Sequence, residues 1–409
     1  MKRIVDDHGL RPYIRLGTTV VSALWDDATL LWQVTLADGS VLTARNFVAA
    51  WGQLNRPQVP VIAGQDAFDG VQFHSARWRH DVALAGKRVA SIGNAASAVQ
   101  YIPEIAPVVG HLDVFQRSPN WIVPRLDRPY SAEEIAGYRT VPDLFAKHRQ
   151  ELFAWRETTF LRMKQGSAEA RELENIALEH LRSQVPDPEL RKKLTPDYPL
   201  GCKRILRSDD YFPAIVRDNV SLITAGISHV VPEGIVTSDG ALHPVDVIIY
   251  GTGFETQSFQ GNVEVSGRDG QSLRDTWKEG AHAYLGMCVS GFPNFFMLYG
   301  PNTNLGHNSI LSMLETQFDY VLQALAVQER PGSAALDVRP GVVSRFNDTL
   351  QGEMDDAAWS GGCNSWYKNA AGKVINNWSG TVGHYQDKAR RFDADEFLAL
   401  SKAETRCAD

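Results

Sequence analysis

The chain has 409 residues, 44% hydrophobic and 22% charged, with a net charge of -7 and a pI near 5.9. That length supports two or three hydrophobic cores, and the acidic balance argues against nucleic-acid partners because it supplies no basic field for a phosphate backbone. No apolar run is long enough to span a bilayer, the start Met1-Lys-Arg-Ile-Val-Asp-Asp-His-Gly has acids where a signal peptide has its apolar centre, and Cys202, Cys288, Cys363 and Cys407 form neither a zinc pattern nor a disulfide framework.

These features predict a multi-domain protein of the reducing cytoplasm with no metal site. From the N-terminus, the first residues read as the end of a helix, with Ile4 and Val5 apolar and Gly9 as its C-terminal cap, followed by short strands at Tyr13 to Leu16 and Thr18 to Leu24. Leu31 to Leu36, an Asp38-Gly39 turn and Val41 to Ala50 predict a hairpin whose last strand, nearly all apolar, is buried and ends at Trp51-Gly52. The layout recurs from Gly234 to Phe254, where two short strands lead into Asp246-Val-Ile-Ile-Tyr-Gly-Thr-Gly-Phe254. Two copies of one layout predict two related dinucleotide-binding halves.

A complete strand-turn-helix unit, Arg88 to Ile105, stands ahead of the second copy. Only a dozen residues precede Tyr13 in the first, whereas a βαβ unit takes roughly 30. The first half is therefore expected to lack its nucleotide-binding unit, either lost or encoded upstream of the recorded start. Between the halves, Ser131 to Leu194 is rich in Ala, Glu, Leu and Arg, and Leu144, Phe145, Leu152, Phe153 and Phe160 fall at helical spacing. This predicts a helical insertion, read as a packing element in preference to a substrate lid. The tail from Val342 carries Trp359, Trp366, Tyr367, Trp378 and Tyr385 among Gly and Asn, which predicts either loops closing over something or a packed cap.

The segment Gly86-Lys-Arg-Val-Ala-Ser-Ile-Gly93-Asn94-Ala95-Ala96-Ser97-Ala98 is a buried strand, a tight turn and a helix start. Such a turn presents free backbone N–H groups and the positive end of a helix dipole to a pyrophosphate, which makes Gly93, Asn94 and Ser97 candidate contacts. As a GxGxxG match it is imperfect, because Ala95 replaces the second glycine. The next strand, Leu112 to Phe115, ends in Gln116-Arg117-Ser118, about twenty residues after the turn, where a basic residue accepts the 2′-phosphate of NADP and an acidic one selects NAD. Arg117 points to NADP.

Phe68-Asp-Gly70-Val-Gln-Phe-His74-Ser-Ala-Arg-Trp78 resembles the FxGxxxHxxxW fingerprint of Baeyer-Villiger and related class B flavin monooxygenases, with Arg79 where the most restrictive version has Pro. Further matches follow in order. Phe115-Gln-Arg117-Ser118-Pro-Asn-Trp121 is similar to the family's NADP phosphate loop, Gly201-Cys-Lys203-Arg204 to its Lys-Arg pair, and Asp246 to Phe254 to its second domain link. Gly291 to Ser309 resembles the flavin-edge loop of the branch acting on aryl and alkyl ketones, similar to 4-hydroxyacetophenone monooxygenases, and Gly361 to Tyr367 that branch's cofactor-facing loop.

The resemblance covers essentially the whole chain and implies an α/β fold of two interleaved Rossmann-like domains, the first incomplete. It implies the remainder of an FAD domain over 1–60, a linker over 61–85, an NADP domain over 86–250 with the insertion at 131–195, and a C-terminal return over 251–409. The implied cofactors are FAD and NADP, and the implied substrates are a ketone and O2. By the family's pattern Arg204 is catalytic, stabilising the peroxide and the tetrahedral adduct, and Lys203, Arg117 and Ser118 contact NADP. His74, Trp78, Leu54 and Gly253 belong to the domain links, Asn304 and Leu305 to the flavin edge, and Trp366 shields bound NADP. Without the first glycine-rich turn the chain is expected to retain FAD weakly or not at all. N- or S-oxygenation, and a non-catalytic NADP-binding remnant, stand as the alternatives.

Overall fold

Five short strands rich in β-branched and aromatic residues, Val71–His74, Arg88–Ile92, His111–Phe115, Val220–Ile223 and Val247–Tyr250, form one parallel sheet in a computed structural model that describes residues 2–401. Met1 and residues 402–409, Cys407 among them, lie outside the described residues. Across the sheet the order is Val220–Ile223, His111–Phe115, Arg88–Ile92, Val247–Tyr250, Val71–His74. The strands that follow Arg88–Ile92 are laid first to one side of it and then, with Val247–Tyr250, to the other, and such a switch point opens a crevice at the carboxyl ends of the strands. Val89 is in register with Leu112 on one side and Val247 on the other. The helix Ala98–Ile105 covers the sheet with Ala98, Val99, Ile102 and Ile105.

The insertion is helical over Ala132–Thr140, Leu144–Thr158, Ala168–Gln184 and Pro188–Leu194. Ser131 forms a capping box with Glu134, and Ser167 and Asp187 accept first-turn N–H groups of the last two helices, so three of the four starts are written locally, while Leu144–Thr158 begins without a side-chain cap. Its apolar spacing is only partly used. Phe153 and Phe160 lean on the C-terminal core, whereas Phe145, Leu152 and Trp155 are exposed.

The N-terminal half keeps its predicted helix, Lys2–Asp7, with Gly9 at φ 59° beyond its end. The strand expected at Tyr13 to Leu16 is absent. Arg11–Tyr13 is a single 3₁₀ turn started by Pro12, and the Tyr13 and Leu16 side chains are 85% and 88% exposed. The next strand runs Val20–Asp26 and joins Leu31–Leu36, Val41–Ala44 and Glu264–Ser266 in a four-stranded sheet. Trp32 is fully buried there, its indole N–H donating to the Pro293 carbonyl at 2.9 Å.

The single buried strand expected over Val41 to Ala50 is broken at Arg45-Asn46. Val41–Ala44 stays in the hairpin sheet, and Phe47–Ala49 pairs in parallel with Phe295–Met297. Asn294 holds the break, its side chain donating to the Arg45 carbonyl and its own carbonyl accepting the Phe47 N–H, both at 3.0 Å. The second copy breaks in the same place, between Leu242–Pro244 and Val247–Tyr250. An apolar run records burial but not a change of sheet, so this could not be read from the pattern.

The aromatic tail is a packed cap: Trp359, Tyr367, Trp378 and Tyr385 are buried in one core with Met163, Met287, Phe296 and Tyr320. Trp366 is only half buried. The cysteine reading needs correction, because Cys202 and Cys363 form a disulfide with Cα atoms 6.2 Å apart at a sequence separation of 161. Spacing along the chain cannot show a pair that packing alone brings together. Among the described residues no His, Cys, Asp and Glu cluster could hold a metal ion, and no helix is long and apolar enough to cross a membrane.

Candidate active site

The carboxyl ends of the parallel strands bring His74, Gly93, Gln116-Arg117 and Gly251 to one edge of the sheet. Gly93 has φ 105°, and a Cβ there would lie 2.6 Å from the Gly251 carbonyl oxygen. A Cβ on Gly251 would in turn lie 2.7 Å from the Tyr101 hydroxyl. Both glycines are needed for the strand ends to close on each other. The Val99 N–H bonds back to Ala95, while the backbone N–H groups of residues 95–98 make no hydrogen bond among the described residues. Ser97 lies in helical conformation and does not cap the helix with its side chain. A turn of free amides at a helix start fits a pyrophosphate.

Asn94 is buried and spends both side-chain N–H groups on the protein, donating to Gln116 Oε1 at 2.8 Å and to the Ser118 carbonyl at 3.0 Å. It therefore fixes the loop that carries Arg117 and Ser118. Lys203 donates to Ser118 Oγ at 2.8 Å and sits 4.4 Å from the centre of the Tyr198 ring. Burial lowers the pKa of the Lys203 ammonium and the like charge of Arg117 lowers it further, against a smaller opposing effect of Asp197. Neither Arg117 nor Lys203 has an ion-pair partner among the described residues, so the pair suits an external dianion such as a phosphate monoester.

Arg204 is exposed and also makes no ion pair among the described residues. Burial raises the pKa of the Tyr299 and Tyr367 hydroxyls, and the Arg204 charge opposes this in both. The Arg204 charge is thus felt at both hydroxyls, on the two loops that carry the other candidates. Tyr299 donates to Asn304 Oδ1 at 2.8 Å and Asn304 donates to Asn377 Oδ1 at 2.6 Å. Leu305, half buried, packs on the C-terminal core. Trp366 lies against Tyr367 with ring centres 4.5 Å apart, and its carbonyl accepts from Asn376.

The two domain links run side by side. Gln58 N–H donates to the Gly253 carbonyl at 2.9 Å, Pro57 faces Phe254, and Arg56 pairs with Glu255. Gly52 and Gly253 take φ 68° and 83°, and Leu54 stays exposed between them and solvent. His74 accepts the Ala76 N–H on Nδ1 at 3.1 Å, and burial lowers its pKa, so the neutral ring carries its proton on Nε2. That atom is buried, and the Gly253 backbone, close enough to oppose the lowering of the pKa, is the group nearest to partnering it. Trp78, half buried, packs edge-on to Phe73 at 5.3 Å and beside Tyr101 at 5.5 Å, and so reaches the glycine turn through Tyr101.

Three residues of the site carried no sequence signal. Gln53 leaves its buried side-chain oxygen unpartnered among the described residues near these loops, which fits a polar ligand such as a flavin edge, whereas Asn377 is turned toward the Tyr367 hydroxyl and Asn304. Glu157 of the insertion accepts from Asn308 and from the N–H groups of Val382 and Gly383, and pairs with His307 at 3.3 Å, clamping the insertion to the flavin-edge loop. A lone Glu on an amphipathic helix reads as a solvated face, so only its contacts identify it. Among the described residues the Gly93 turn is the one glycine turn that opens a helix from a parallel strand. A cavity of about 700 Å³ bordered by Arg268, His282, Asp337 and Lys373 contains none of these residues.

No family model matches the chain. It is 40% identical over 405 residues to a Baeyer-Villiger monooxygenase of Streptomyces coelicolor, covering 98% of this chain and 78% of that relative. A Baeyer-Villiger monooxygenase of Pseudomonas aeruginosa is also 40% identical, over 97% of this chain and 76% of its own length. A crystal structure of OTEMO in complex with FAD and NADP superposes with a TM-score of 0.87 at 28% identity, over 97% of this chain and 83% of that one. With the parallel sheet and its switch point, the strand-end cations and these near full-length matches together, the chain belongs to the Baeyer-Villiger monooxygenase family.

Proposed function

We propose that this protein is an NADPH- and FAD-dependent monooxygenase of the cytoplasm that inserts one oxygen atom of O2 beside the carbonyl of a ketone, giving an ester or lactone. The observation that carries this reading is Arg204, a cation without a carboxylate partner among the described residues, which directly follows Lys203 and whose charge opposes the raised pKa of the Tyr299 and Tyr367 hydroxyls. Bound flavin would supply the two-electron activation of O2. The protein's residues do the rest. The amides of the Gly93 turn receive the pyrophosphate, Arg117 and Lys203 hold the 2′-phosphate, and Gln53 offers its unpartnered oxygen to the ring system. Arg204 cannot lose its proton at working pH and stabilises the negative charge that collects on oxygen at the carbonyl.

The test is turnover with NADPH, excess FAD, a phenyl ketone and isotopically heavy dioxygen. An ester carrying one heavy oxygen is the expected product. NADPH oxidation without ester, or oxygen delivered only to an amine or a thioether, would refute the ketone reading.

The NADP assignment predicts a selective loss in Arg117→Ala. A charge-assisted contact contributes about 1.5 to 3 kcal/mol, so NADPH binding should weaken roughly ten-fold to over a hundred-fold while NADH binding stays nearly unchanged. Titration of both nucleotides measures it. Equal losses for the two would mean that Arg117 supports the loop and does not read the phosphate.

A further inference from the structure

Cys202 stands directly before Lys203 and Arg204, and Cys363 three residues before Trp366. Their bond therefore joins the segment bearing the NADP-side cations to the loop bearing the cofactor-facing tryptophan. Little else does. The backbone bonds of residues 361–363 close locally, on Ala358 and Gly361, and a Cβ at Gly362 would meet nothing within 4 Å. Among the described residues, the hydrogen-bond and covalent contacts between 201–204 and 361–366 run through Cys202, whose Sγ also lies 3.6 Å from the Gly361 carbonyl. Lys368 Nζ bonds to that same carbonyl, which places an ammonium near the sulfur pair. Cys202 is fully buried and Cys363 is half exposed, so the two sulfurs differ in access. The third described cysteine, Cys288, is buried in the C-terminal core and takes no part.

We propose that Cys202 and Cys363 are a peroxide-sensitive thiol pair whose reversible bond fastens the 361–368 loop to the Lys203-Arg204 segment. Cys363, the accessible sulfur in a cationic setting that favours thiolate, attacks hydrogen peroxide, breaking its O–O bond to give a sulfenic acid and, with one proton, water. The Cys202 thiol then displaces the hydroxyl as a second water and forms the S–S bond. Two thiols and one peroxide give one disulfide and two waters. A small dithiol reverses it by exchange. Disulfides in reducing compartments are mostly of this transient kind. Under the function proposed above, NADPH oxidation without a ketone would deliver two electrons to O2 as hydrogen peroxide at this same site. Only that source depends on the functional reading; the pair and its tethering do not.

The experiment uses the full chain, with hydrogen peroxide as oxidant and dithiothreitol as reductant. Peroxide treatment, alkylation in denaturant and tryptic mapping should yield residues 194–203 linked to residues 346–368, and dithiothreitol should release both as alkylated peptides. Limited trypsinolysis of the native chain then reads the tether, with no need of flavin or nucleotide. Cleavage after Lys368 and Lys373 should run roughly tenfold slower in the oxidised chain, because local opening is restrained, and Cys363→Ser should be cut at the reduced rate in both states. Reduction of the unaltered chain gives the same comparison should Cys363→Ser fold poorly. Absence of the linked peptides, a link through Cys407 instead, or equal cleavage rates in the oxidised and reduced chains would each overturn the proposal.

Discussion

Arg204→Ala is expected to leave reduction of bound flavin by NADPH intact and to lower ester formation by on the order of a hundred-fold to a thousand-fold. The residue is exposed, lacks an ion-pair partner among the described residues, and its charge reaches the buried hydroxyls of Tyr299 and Tyr367. Such an uncompensated guanidinium contributes most where negative charge develops on the reacting oxygen, a step that follows nucleotide oxidation. Removing it should spare the first half-reaction and remove the second. Arg204→Lys should restore little, since an ammonium lacks the planar fork that can hold two oxygens together. Stopped-flow absorbance on flavin-loaded protein separates the two halves, and product analysis reads the ester. Should the Ala variant reduce flavin slowly yet oxygenate ketone normally once reduced, Arg204 serves nucleotide docking and the assignment fails.

Gly93→Ala is expected to weaken NADPH binding by more than roughly ten-fold and to destabilise the chain by about 2 to 4 kcal/mol, from backbone strain and a close contact together. At φ 105° an L side chain is strained, and its Cβ would sit 2.6 Å from the Gly251 carbonyl oxygen. Both sides of that contact are backbone, so no rotamer change relieves it and the strand ends must move apart. The free amides of residues 95–98 move with them. Gly86 supplies the control, because it too has positive φ, 71°, but a Cβ there meets nothing within 4 Å. Gly86→Ala should cost only about 1 kcal/mol and leave NADPH affinity alone. Denaturant melts with nucleotide titration make the comparison. Matching losses in the two variants would show that strain alone, and not closure against Gly251, governs the turn.

Several features of this protein were set by its sequence alone. A continuous apolar run and glycine placement set the Arg88 to Ile105 unit, helical spacing with Ser131, Ser167 and Asp187 caps set most of the insertion, and the distance from the turn to Arg117 placed a cation at the adjacent strand end. Each of these depends on interactions within a few residues or one strand-turn-helix unit, which local patterning records. Tertiary structure decided the rest. It broke Val41 to Ala50 between two sheets, assigned Trp78 to packing and Asn94 to holding a loop, brought Glu157 onto Val382 and Gly383, and joined Cys202 to Cys363. Those outcomes turn on which distant surface meets which. An apolar, amide or thiol side chain advertises that it will be buried or bonded, but its partner is chosen only when the cores pack.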